Sequence, residues 1–375
     1  MSGTLEVDRI ALLLQSLEGG GAQRRVVELA NGFARRGRKV DLFLDHLEGA
    51  LRDRLAAEIR TIPAAALAHH LSENPPGALL SGAAAVHDLA VRSLPQERSF
   101  PLVLRASSHP FRNLPWSMPK ERLVEQVRRV RRIRNYREAD LIIAVAPDIA
   151  EALQAALPAK CVEVIPNQVI TPEFLSGAAA TVEFPWPEEP EIPLIVAVGR
   201  LALAKDYPTL LRAFAIVRKR RRLRLAILGS GTAAERDRLL RLAAKVGIES
   251  DLCLGGDCDH VAAWLLRADL LVSSSLWEGS PAALVEALAM GRPVVATTSV
   301  GLARELLAGG ELGFLVPPGQ PELMAEAIVR ALDRTFDENR LRAAAEPFSR
   351  DRSEDYLIAI DRCAWSMKDH FSKSP

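Results

Sequence analysis

The chain has 375 residues, of which 49% are apolar and 25% are charged. These values are typical of globular proteins and exclude a largely disordered chain, a collagen-like repeat and a polytopic membrane protein. The 48 Lys and Arg residues nearly balance the 47 Asp and Glu residues, so no nucleic-acid partner is predicted. A chain of this length is too long for one ordinary core, and two domains are expected.

The sequence shows no export or membrane signal. Residues 1–9 lack the basic start and apolar run of a signal peptide, and no segment reaches the ~18 apolar residues that a membrane span needs. The four cysteines include no CxxC pair, which favours reduced thiols over disulfides or a zinc site. We therefore expect a cytoplasmic protein, attached at most peripherally to the inner face of the cytoplasmic membrane.

Short apolar runs alternate with amphipathic segments along the whole chain. The runs predicted as strands are Ile10–Leu14, Val40–Leu44, Leu102–Arg105, Leu141–Val145, Val162–Ile165, Leu194–Val198, Leu223–Leu228, Leu270–Ser274, Val294–Thr297 and Phe314–Val316. The segments predicted as helices include Val26–Ala34, Asp206–Arg222, Ala233–Val246 and Asp351–Ser374. This rhythm predicts an α/β protein with two doubly wound, Rossmann-like domains. Ligands of such folds bind at the carboxyl ends of the strands, so we expect the two domains to face a central cleft.

The proline-rich segment Thr171–Pro193 is predicted to link the two domains. It holds five prolines and an acidic cluster and shows no helical or strand periodicity. The expected domains are therefore 1–175 and 176–345. The remaining segment, 346–375, is expected to form a helix that returns to the first domain.

Segment 273–297 has the features of a phosphate site at a helix N-terminus. A strand ends near its start, Ser280 is predicted as the N-cap, and Pro281 is predicted as the first helical residue. The amide groups of Ala282 and Ala283 then lie in the first helical turn, where a phosphate is favoured.

Two carboxylates flank this predicted helix start. Glu286 lies one turn deeper on the same helix face, where it could accept hydrogen bonds from two sugar hydroxyls. Glu278, followed by Gly279, lies in the preceding turn and would face the other end of a ligand. A turn residue and a solvated helix residue are the alternative interpretation of the two side chains.

Two further loops follow predicted strands of the second domain. Arg200 and Lys205 lie in the first loop, where two cations could neutralise a diphosphate; ordinary surface charge is the alternative. Gly229 and Gly231 lie in the second loop and permit close backbone approach, although this pattern alone is weak evidence.

A glycine-rich loop also follows the first predicted strand. It contains Gly20 and Gly21, but Arg24 occupies the position of the last glycine in a GxGxxG motif. The dinucleotide-binding fingerprint is therefore incomplete, which weakens the interpretation as a dehydrogenase.

Segment 122–137 combines basic and apolar residues at helical spacing. It carries seven arginines, and its apolar residues Leu123, Val127, Val130 and Ile133 form one stripe. Such a helix could sit on an anionic membrane surface. A solvated helix face packed on its own domain is the alternative, and both interpretations stay open.

Five motifs resemble those of the retaining glycosyltransferases of family 4 (GT4), which have the two-domain GT-B fold. The motifs are Gly19-Gly-Gly-Ala-Gln23, Ile165-Pro-Asn167, Val198-Gly-Arg-Leu with Lys205, Gly229-Ser-Gly231, and Glu278 through Glu286. They follow the family's order across nearly the whole chain, and the last is the family's E-x7-E motif. The family usually has glycine where this chain has Gln168.

The resemblance implies a role for each candidate residue. Donor or nucleotide binding is implied for Gly20, Gly21, Arg200, Lys205, Gly229, Gly231, Glu278, Gly279, Ala282, Ala283 and Glu286. Among these, Arg200 and Lys205 would hold the diphosphate and Glu286 the ribose. Catalytic roles are implied for Arg200, Lys205, Glu278 and His109, with a structural histidine as the alternative for His109. Gly229, Gly231 and a turn at Leu254–Asp257 would border the base.

The resemblance also implies an activity. The chain would be a hexosyltransferase-type enzyme that moves a sugar, with retention, from a nucleotide-diphosphate sugar, UDP favoured over GDP, to a glycan or lipid-linked acceptor of bacterial cell-envelope polysaccharide synthesis. Domain 1–175 would bind the acceptor and domain 176–345 the nucleotide-sugar. No metal or other cofactor is expected, and Asp257-Cys-Asp259 is not interpreted as a metal-binding DxD motif. A sugar-nucleotide epimerase of GT-B architecture and a non-catalytic nucleotide-sugar-binding protein are the alternatives.

Overall fold

The computed structural model describes residues 6–111, 119–186, 189 and 191–372. The predicted linker residues Pro187 and Pro190 and the end of the predicted C-terminal helix lie outside these ranges. The chain divides into two compact units. Unit 1 comprises Met1–Asn167 with Asp351–Pro375, and unit 2 comprises Gln168–Arg350.

Unit 1 contains a parallel sheet that has seven strands within the described residues. The strands are β1 (Arg9–Ser16), β2 (Lys39–His46), β3 (Arg60–Pro63), β4 (Ala78–Ser81), β5 (Leu102–Ala106), β6 (Leu141–Ala144) and β7 (Cys161–Val164). The helices between them are α1 (Gly21–Arg35), α2 (Leu67–Glu73), α3 (His87–Arg92), α4 (Pro119–Glu138) and α5 (Pro147–Ala156). The strand order is β3-β2-β1-β4-β5-β6-β7. The chain order therefore reverses between β1 and β4.

Unit 2 contains a parallel sheet that has six strands within the described residues. The strands are β8 (Leu194–Val198), β9 (Arg224–Leu228), β10 (Leu252–Gly256), β11 (Leu270–Ser273), β12 (Val294–Thr297) and β13 (Gly313–Val316). The helices are α6 (Pro172–Ser176), α7 (Tyr207–Arg218), α8 (Ala233–Val246), α9 (Val261–Arg267), α10 (Ala282–Ala289), α11 (Ala303–Leu306), α12 (Pro321–Leu332) and α13 (Glu338–Ala345). The strand order is β10-β9-β8-β11-β12-β13, which reverses between β8 and β11.

The predicted α/β class with two doubly wound domains is confirmed. All ten predicted strands are present, and the sequence analysis missed β3, β4 and β10. The predicted turn at Leu254–Asp257 overlaps β10, an edge strand whose two glycines conceal its strand character. Among the helices of the described residues, none is long and apolar enough to cross a bilayer.

The last helix of the chain, α14 (Ser353–Ser372), belongs to unit 1 and packs against α1. Tyr356 and Ile360 of α14 join the buried core that contains Phe33 of α1. The approach is close because residue 32 is a glycine, and a Cβ atom there would lie 2.4 Å from the Ser353 hydroxyl oxygen.

A polar cluster stabilises this helix contact at its edge. The Ser353 hydroxyl donates to Asp351 over 2.6 Å, and Arg36 donates to both Asp351 and Ser353. Burial of Asp351 opposes its ionisation, but these hydrogen bonds outweigh that effect and lower the pKa of Asp351 to about 2. The carboxylate therefore stays charged at neutral pH.

The proline-rich segment packs on unit 2 over its described residues. Phe184 stacks edge-on against Trp264 at 4.6 Å between ring centroids, and the Trp186 indole donates to the Ser250 carbonyl. The units divide earlier, between Asn167 and Gln168, instead of at residue 175. The composition predicted a linker here because the prolines interrupt helical and strand periodicity. The aromatic residues Phe184 and Trp186 nevertheless pack on unit 2.

Replacing Gly32 with alanine tests the approach of α14 to α1. In a helix interior alanine is more favourable than glycine by about 1 kcal/mol. The added methyl group overlaps Ser353, however, and such overpacking costs about 1–3 kcal/mol. We expect Gly32→Ala to lower the free energy of unfolding by up to about 2 kcal/mol in chemical denaturation, since the overlap outweighs the helix preference. Gly177→Ala is the control, because Gly177 has helical φ and ψ and its nearest neighbour would be 3.8 Å away. Equal stability of the two variants would contradict the close contact.

Candidate functional site

The candidate site of unit 2 lies where the chain order of its sheet reverses. The loops after β8 and β11 leave adjacent parallel strands, and the chain then continues in opposite directions across the sheet. In open α/β sheets this arrangement leaves a crevice at the carboxyl ends of the strands, where ligands bind. The two loops hold Lys205 and Glu278, respectively.

Lys205 and Glu278 form an ion pair at this edge. The Lys205 Nζ atom lies 2.6 Å from Glu278 Oε1, and the two side chains are 20% and 13% exposed. Partial burial strengthens the attraction between the two charges but also removes solvent from them, so the loss of either partner would leave a poorly solvated charge. The sequence analysis selected both residues, but it did not predict that they contact each other.

Hydroxyl groups hold Glu278 in position. Ser275 donates a hydrogen bond to Glu278 Oε1 over 2.5 Å, and Thr297 and Ser299 both donate to the Ser275 carbonyl oxygen. Ser275 and Thr297 are fully buried. The sequence analysis missed these positioning residues, although three consecutive serines at the end of an apolar strand, 273–275, were a usable signal.

Glycines bring the loops after β8 and β9 into backbone contact. A Cβ atom on Gly229 would lie 2.2 Å from the Gly199 carbonyl oxygen, and one on Gly199 would lie 2.3 Å from the Lys205 Cε atom. The Tyr207 hydroxyl donates to the same Gly199 carbonyl over 2.6 Å. Gly231 is similarly crowded, by Leu201. The predicted glycines Gly229 and Gly231 thus shape the loop, and Gly199 is a further residue that the sequence analysis did not select.

The start of α10 supplies free amide groups near this edge. The helix begins at Ala282, one residue later than predicted, and Pro281 instead of Ser280 occupies the N-cap position. Among the residues that the structure describes, no side chain caps this end, and the first hydrogen bond of the helix runs from the Val285 amide to the Pro281 carbonyl. The Ala282 and Ala283 amides therefore lie in the first turn, as expected.

The remaining candidates of unit 2 differ in exposure. Glu286 is half-buried on α10, one turn beyond Ala282, and Gly279 is buried beside Glu278. Arg200 is exposed at the end of β8. An exposed guanidinium is suited to binding an anion from solution.

The three candidates of unit 1 follow strands β1 and β5. Gly20 and Gly21 begin α1, and Gly20 has a φ of 108°, which favours glycine. His109 follows β5, is half-buried, and places Nδ1 2.6 Å from the Phe111 carbonyl oxygen. This local contact suits a structural histidine, and the catalytic role of His109 stays a prediction.

A buried arginine that the sequence analysis missed organises the same edge of unit 1. Arg105 is 1% exposed and donates to the Gly82 carbonyl, the Asn167 side chain and the Tyr356 hydroxyl over 3.0, 2.6 and 3.1 Å. Asn167, the last residue of the Ile-Pro-Asn motif, therefore binds the guanidinium. The nearby His87 is fully buried, and this burial lowers its pKa to about 3, so it remains neutral beside the cation.

No group of three or more His, Cys, Asp or Glu side chains in the described ranges is arranged to hold a metal ion. Asp257 and Asp259 therefore belong to no such group there. The expected independence from metal stays a prediction.

Comparison with known proteins identifies the family of this chain. A family model described as "Glycosyltransferase Family 4" matches residues 19–171, and one described as "Glycosyl transferases group 1" matches residues 192–334. The chain belongs to the family 4 glycosyltransferases. This finding confirms the predicted family and enzyme class. The two matched ranges include every candidate residue named above.

The relatives of this glycosyltransferase agree with that assignment. The lipopolysaccharide core biosynthesis glycosyltransferase LpsE of Rhizobium meliloti is 26% identical over 338 residues, which are 86% of this chain and 87% of LpsE. Sucrose-phosphate synthase from Thermosynechococcus elongatus has a TM-score of 0.71 at 20% identity, with 98% of each chain covered. Anabaena HepE, solved with UDP and glucose, has a TM-score of 0.67 at 18% identity, with 98% of this chain and 100% of that chain covered. The structural matches confirm the GT-B fold.

The backbone contact between Gly229 and Gly199 predicts a position-specific loss of stability. Gly229→Ala adds a backbone overlap to the strain of a φ of 149°, and we expect it to lower the free energy of unfolding by about 2–4 kcal/mol. Gly256→Ala is the control, because Gly256 has a φ of 68° but open space around its Cα, so only about 1 kcal/mol of strain is added. If chemical denaturation gives both variants the same loss, overlap with Gly199 is not the cause.

Proposed function

We propose that this glycosyltransferase transfers a hexosyl group from a UDP-sugar, with retention at the anomeric carbon, to a glycan or lipid-linked acceptor of bacterial cell-envelope polysaccharide synthesis. The observation that carries the proposal is the Lys205–Glu278 pair at the point where the sheet order of unit 2 reverses. The pair joins a phosphate-binding cation to a carboxylate that can accept hydrogen bonds from a sugar.

The donor phosphates would lie between Lys205, Arg200 and the first turn of α10. Both side chains are cationic, and a helix N-terminus adds partial positive charge from its free amide groups. Charge develops on the diphosphate as the glycosidic bond breaks. Fixed positive groups stabilise that charge without reorganisation.

The two carboxylates would bind the sugars on either side of the diphosphate. Glu286 is half-buried one turn into α10, where it would accept hydrogen bonds from the ribose hydroxyls. Glu278 uses Oε1 to accept from Lys205 and Ser275, and its second oxygen, Oε2, would accept from a hydroxyl of the donor sugar. The E-x7-E spacing places Glu278 in the turn before α10 and Glu286 within α10, so the first turn of the helix lies between the two carboxylates.

Retention follows from a leaving diphosphate that helps to deprotonate the acceptor on the same face of the donor sugar. This route requires no nucleophile from the protein. Glu278 suits a binding role better than a nucleophilic one, because a cation and a hydroxyl already occupy its Oε1 atom.

Two relatives support the choice of donor and acceptor. HepE of Anabaena, whose fold this chain shares, was solved in complex with UDP and glucose. LpsE of Rhizobium meliloti is named as a lipopolysaccharide core biosynthesis enzyme. We therefore propose a UDP-sugar over a GDP-sugar, and an envelope glycan over a small-molecule acceptor.

The proposed nucleotide site predicts which substitutions abolish the response to UDP. We expect UDP to raise the Tm of the wild type, with about 2.7 kcal/mol of stabilisation at one hundred times its Kd. Glu286→Ala and Arg200→Ala should remove most of this shift, because each removes a group that contacts the nucleotide. Arg200 is exposed, so its replacement leaves the core intact. Lys205→Met should lower the transfer rate by about 10²–10³-fold.

Matched controls separate loss of binding from loss of fold. Glu322→Ala removes an exposed carboxylate from the first turn of α12, and Lys245→Met removes an exposed lysine from α8. Both should keep the UDP shift and the transfer rate. A wild-type Tm that responds to GDP but not to UDP would contradict the proposed donor, and a response to neither would contradict the phosphate site.

The stereochemistry of transfer is a separate prediction. With an α-linked UDP-sugar as donor, the coupling constant of the anomeric proton in the product should report an α-linkage. The reason is that the bond to the diphosphate breaks and the bond to the acceptor forms on the same face of the sugar. A β-linked first product would contradict retention, and an epimerised nucleotide without a new glycoside would contradict transfer itself.

A further inference from the structure

Helix α4 attaches to unit 1 through polar side chains. Glu125, Arg132 and Tyr136 share one helix face, and Glu125 and Tyr136 are 8% and 1% exposed. Arg132 binds Glu125 and also donates to the Pro110 carbonyl oxygen over 2.9 Å. The face of α4 that contacts the protein is therefore rich in charged and hydrogen-bonding groups, which is the reverse of an ordinary amphipathic helix on a core.

The apolar residues of α4 point away from the protein. Leu123, Val127 and Val130 follow each other at i, i+4 and i+7 and are 65%, 67% and 72% exposed. Val124, at the edge of the same face, is 47% exposed. Aliphatic side chains exposed in a contiguous row indicate an interaction surface, because their hydration is unfavourable. The alternative that this stripe packs on its own domain does not hold for these residues, and only Ile133 is half-buried.

Arginines flank the exposed stripe on both sides. Arg128, Arg129 and Arg137 are exposed, and Arg131 and Arg134 bind Asp88 of α3 while keeping 58% and 64% of their side chains exposed. Arg131 donates a hydrogen bond to Asp88, which lowers the pKa of that carboxyl and keeps the pair charged at neutral pH. The guanidinium groups of these two arginines therefore share Asp88, whose single negative charge offsets only part of their positive charge.

The acidic side chains described on α4 offset only part of this positive charge on the outer face. Glu125 is buried against Arg132, and residue 126 between the apolar positions is a neutral glutamine. Glu138 is exposed, but it lies at the end of the helix, about two turns beyond Val130. The charge presented beside Leu123, Val127 and Val130 is thus positive. A row of aliphatic side chains bordered by arginines is complementary to a surface that is apolar inside and anionic at its edge.

We propose that α4 binds an anionic lipid bilayer surface, with Leu123, Val127 and Val130 inserted at the level of the lipid headgroups and the arginines in contact with lipid phosphates. The helix then lies along the membrane plane and does not cross it. Polar attachment to unit 1 keeps the apolar face free for the bilayer. The proposal requires neither donor nor acceptor, so it stands or fails separately from the proposed sugar transfer.

Vesicle co-sedimentation of the full chain without nucleotide tests this surface. The wild type should bind vesicles of phosphatidylcholine mixed with phosphatidylglycerol, bind pure phosphatidylcholine weakly, and dissociate as salt is raised. Val127→Gln/Val130→Gln should weaken binding to the anionic vesicles about tenfold or more, since apolar insertion is lost. Arg128→Gln/Arg137→Gln should weaken it by about fivefold for each arginine removed.

A matched variant on another helix provides the control. Leu240→Gln/Arg241→Gln replaces a 42% exposed leucine and an exposed arginine of α8 in unit 2, and it should bind vesicles like the wild type. All variants replace exposed side chains, so their Tm values should match the wild type. The proposal is overturned if the wild type does not bind anionic vesicles, or if the α4 variants bind them as strongly as the wild type. A dimer in solution that Val127→Gln/Val130→Gln abolishes, together with no vesicle binding, would assign the face to a second copy instead.

Discussion

The site in unit 2 depends on a close backbone approach that only glycine permits. Gly199 and Gly229 bring the loops after two neighbouring strands into contact, and no side chain on either residue could be accommodated. Lys205 crosses directly over Gly199 and reaches Glu278, and Ser275 donates to the same carboxylate oxygen. A half-buried ion pair of this kind is favourable only when its geometry is fixed, and the glycines fix it. The positions of the two charged groups therefore depend on two glycines, which carry neither a side chain nor a charge.

Unit 1 uses a different solution to order its strand ends. Arg105 is a buried cation whose hydrogen bonds go to a carbonyl, an amide and a phenol instead of a carboxylate. Burial and hydrogen bonding hold this guanidinium rigidly, and the neutral state of His87 avoids a second charge beside it. Unit 2 thus keeps its charged groups close to solvent, where a ligand can reach them, whereas Arg105 serves the fold.

Local signals were sufficient to predict much of this fold. Helix α8 was predicted to the residue because Gly247, with a φ of 72°, marks its end and apolar periodicity marks its length. Lys205 and Glu278 were selectable because each follows an apolar strand, but their contact depends on the adjacency of β8 and β11, which only the sheet order reveals. The roles of Ser275 and Arg105 depend in the same way on partners distant in sequence. The outward orientation of the stripe on α4 was likewise not predictable, because periodicity identifies a face without saying what it contacts.

The return of α14 to unit 1 has a consequence for biosynthesis. Unit 2 is continuous in sequence, so its core can close while the ribosome is still making the end of the chain. Unit 1 receives Tyr356 only after α14 has been synthesised, and until then Arg105 lacks one of its three partners and Phe33 lacks part of its covering. The first half of the protein to be translated is therefore the last to finish folding. Exposed apolar surface in such an intermediate favours aggregation, so this interval is the one in which the nascent chain is most prone to aggregate.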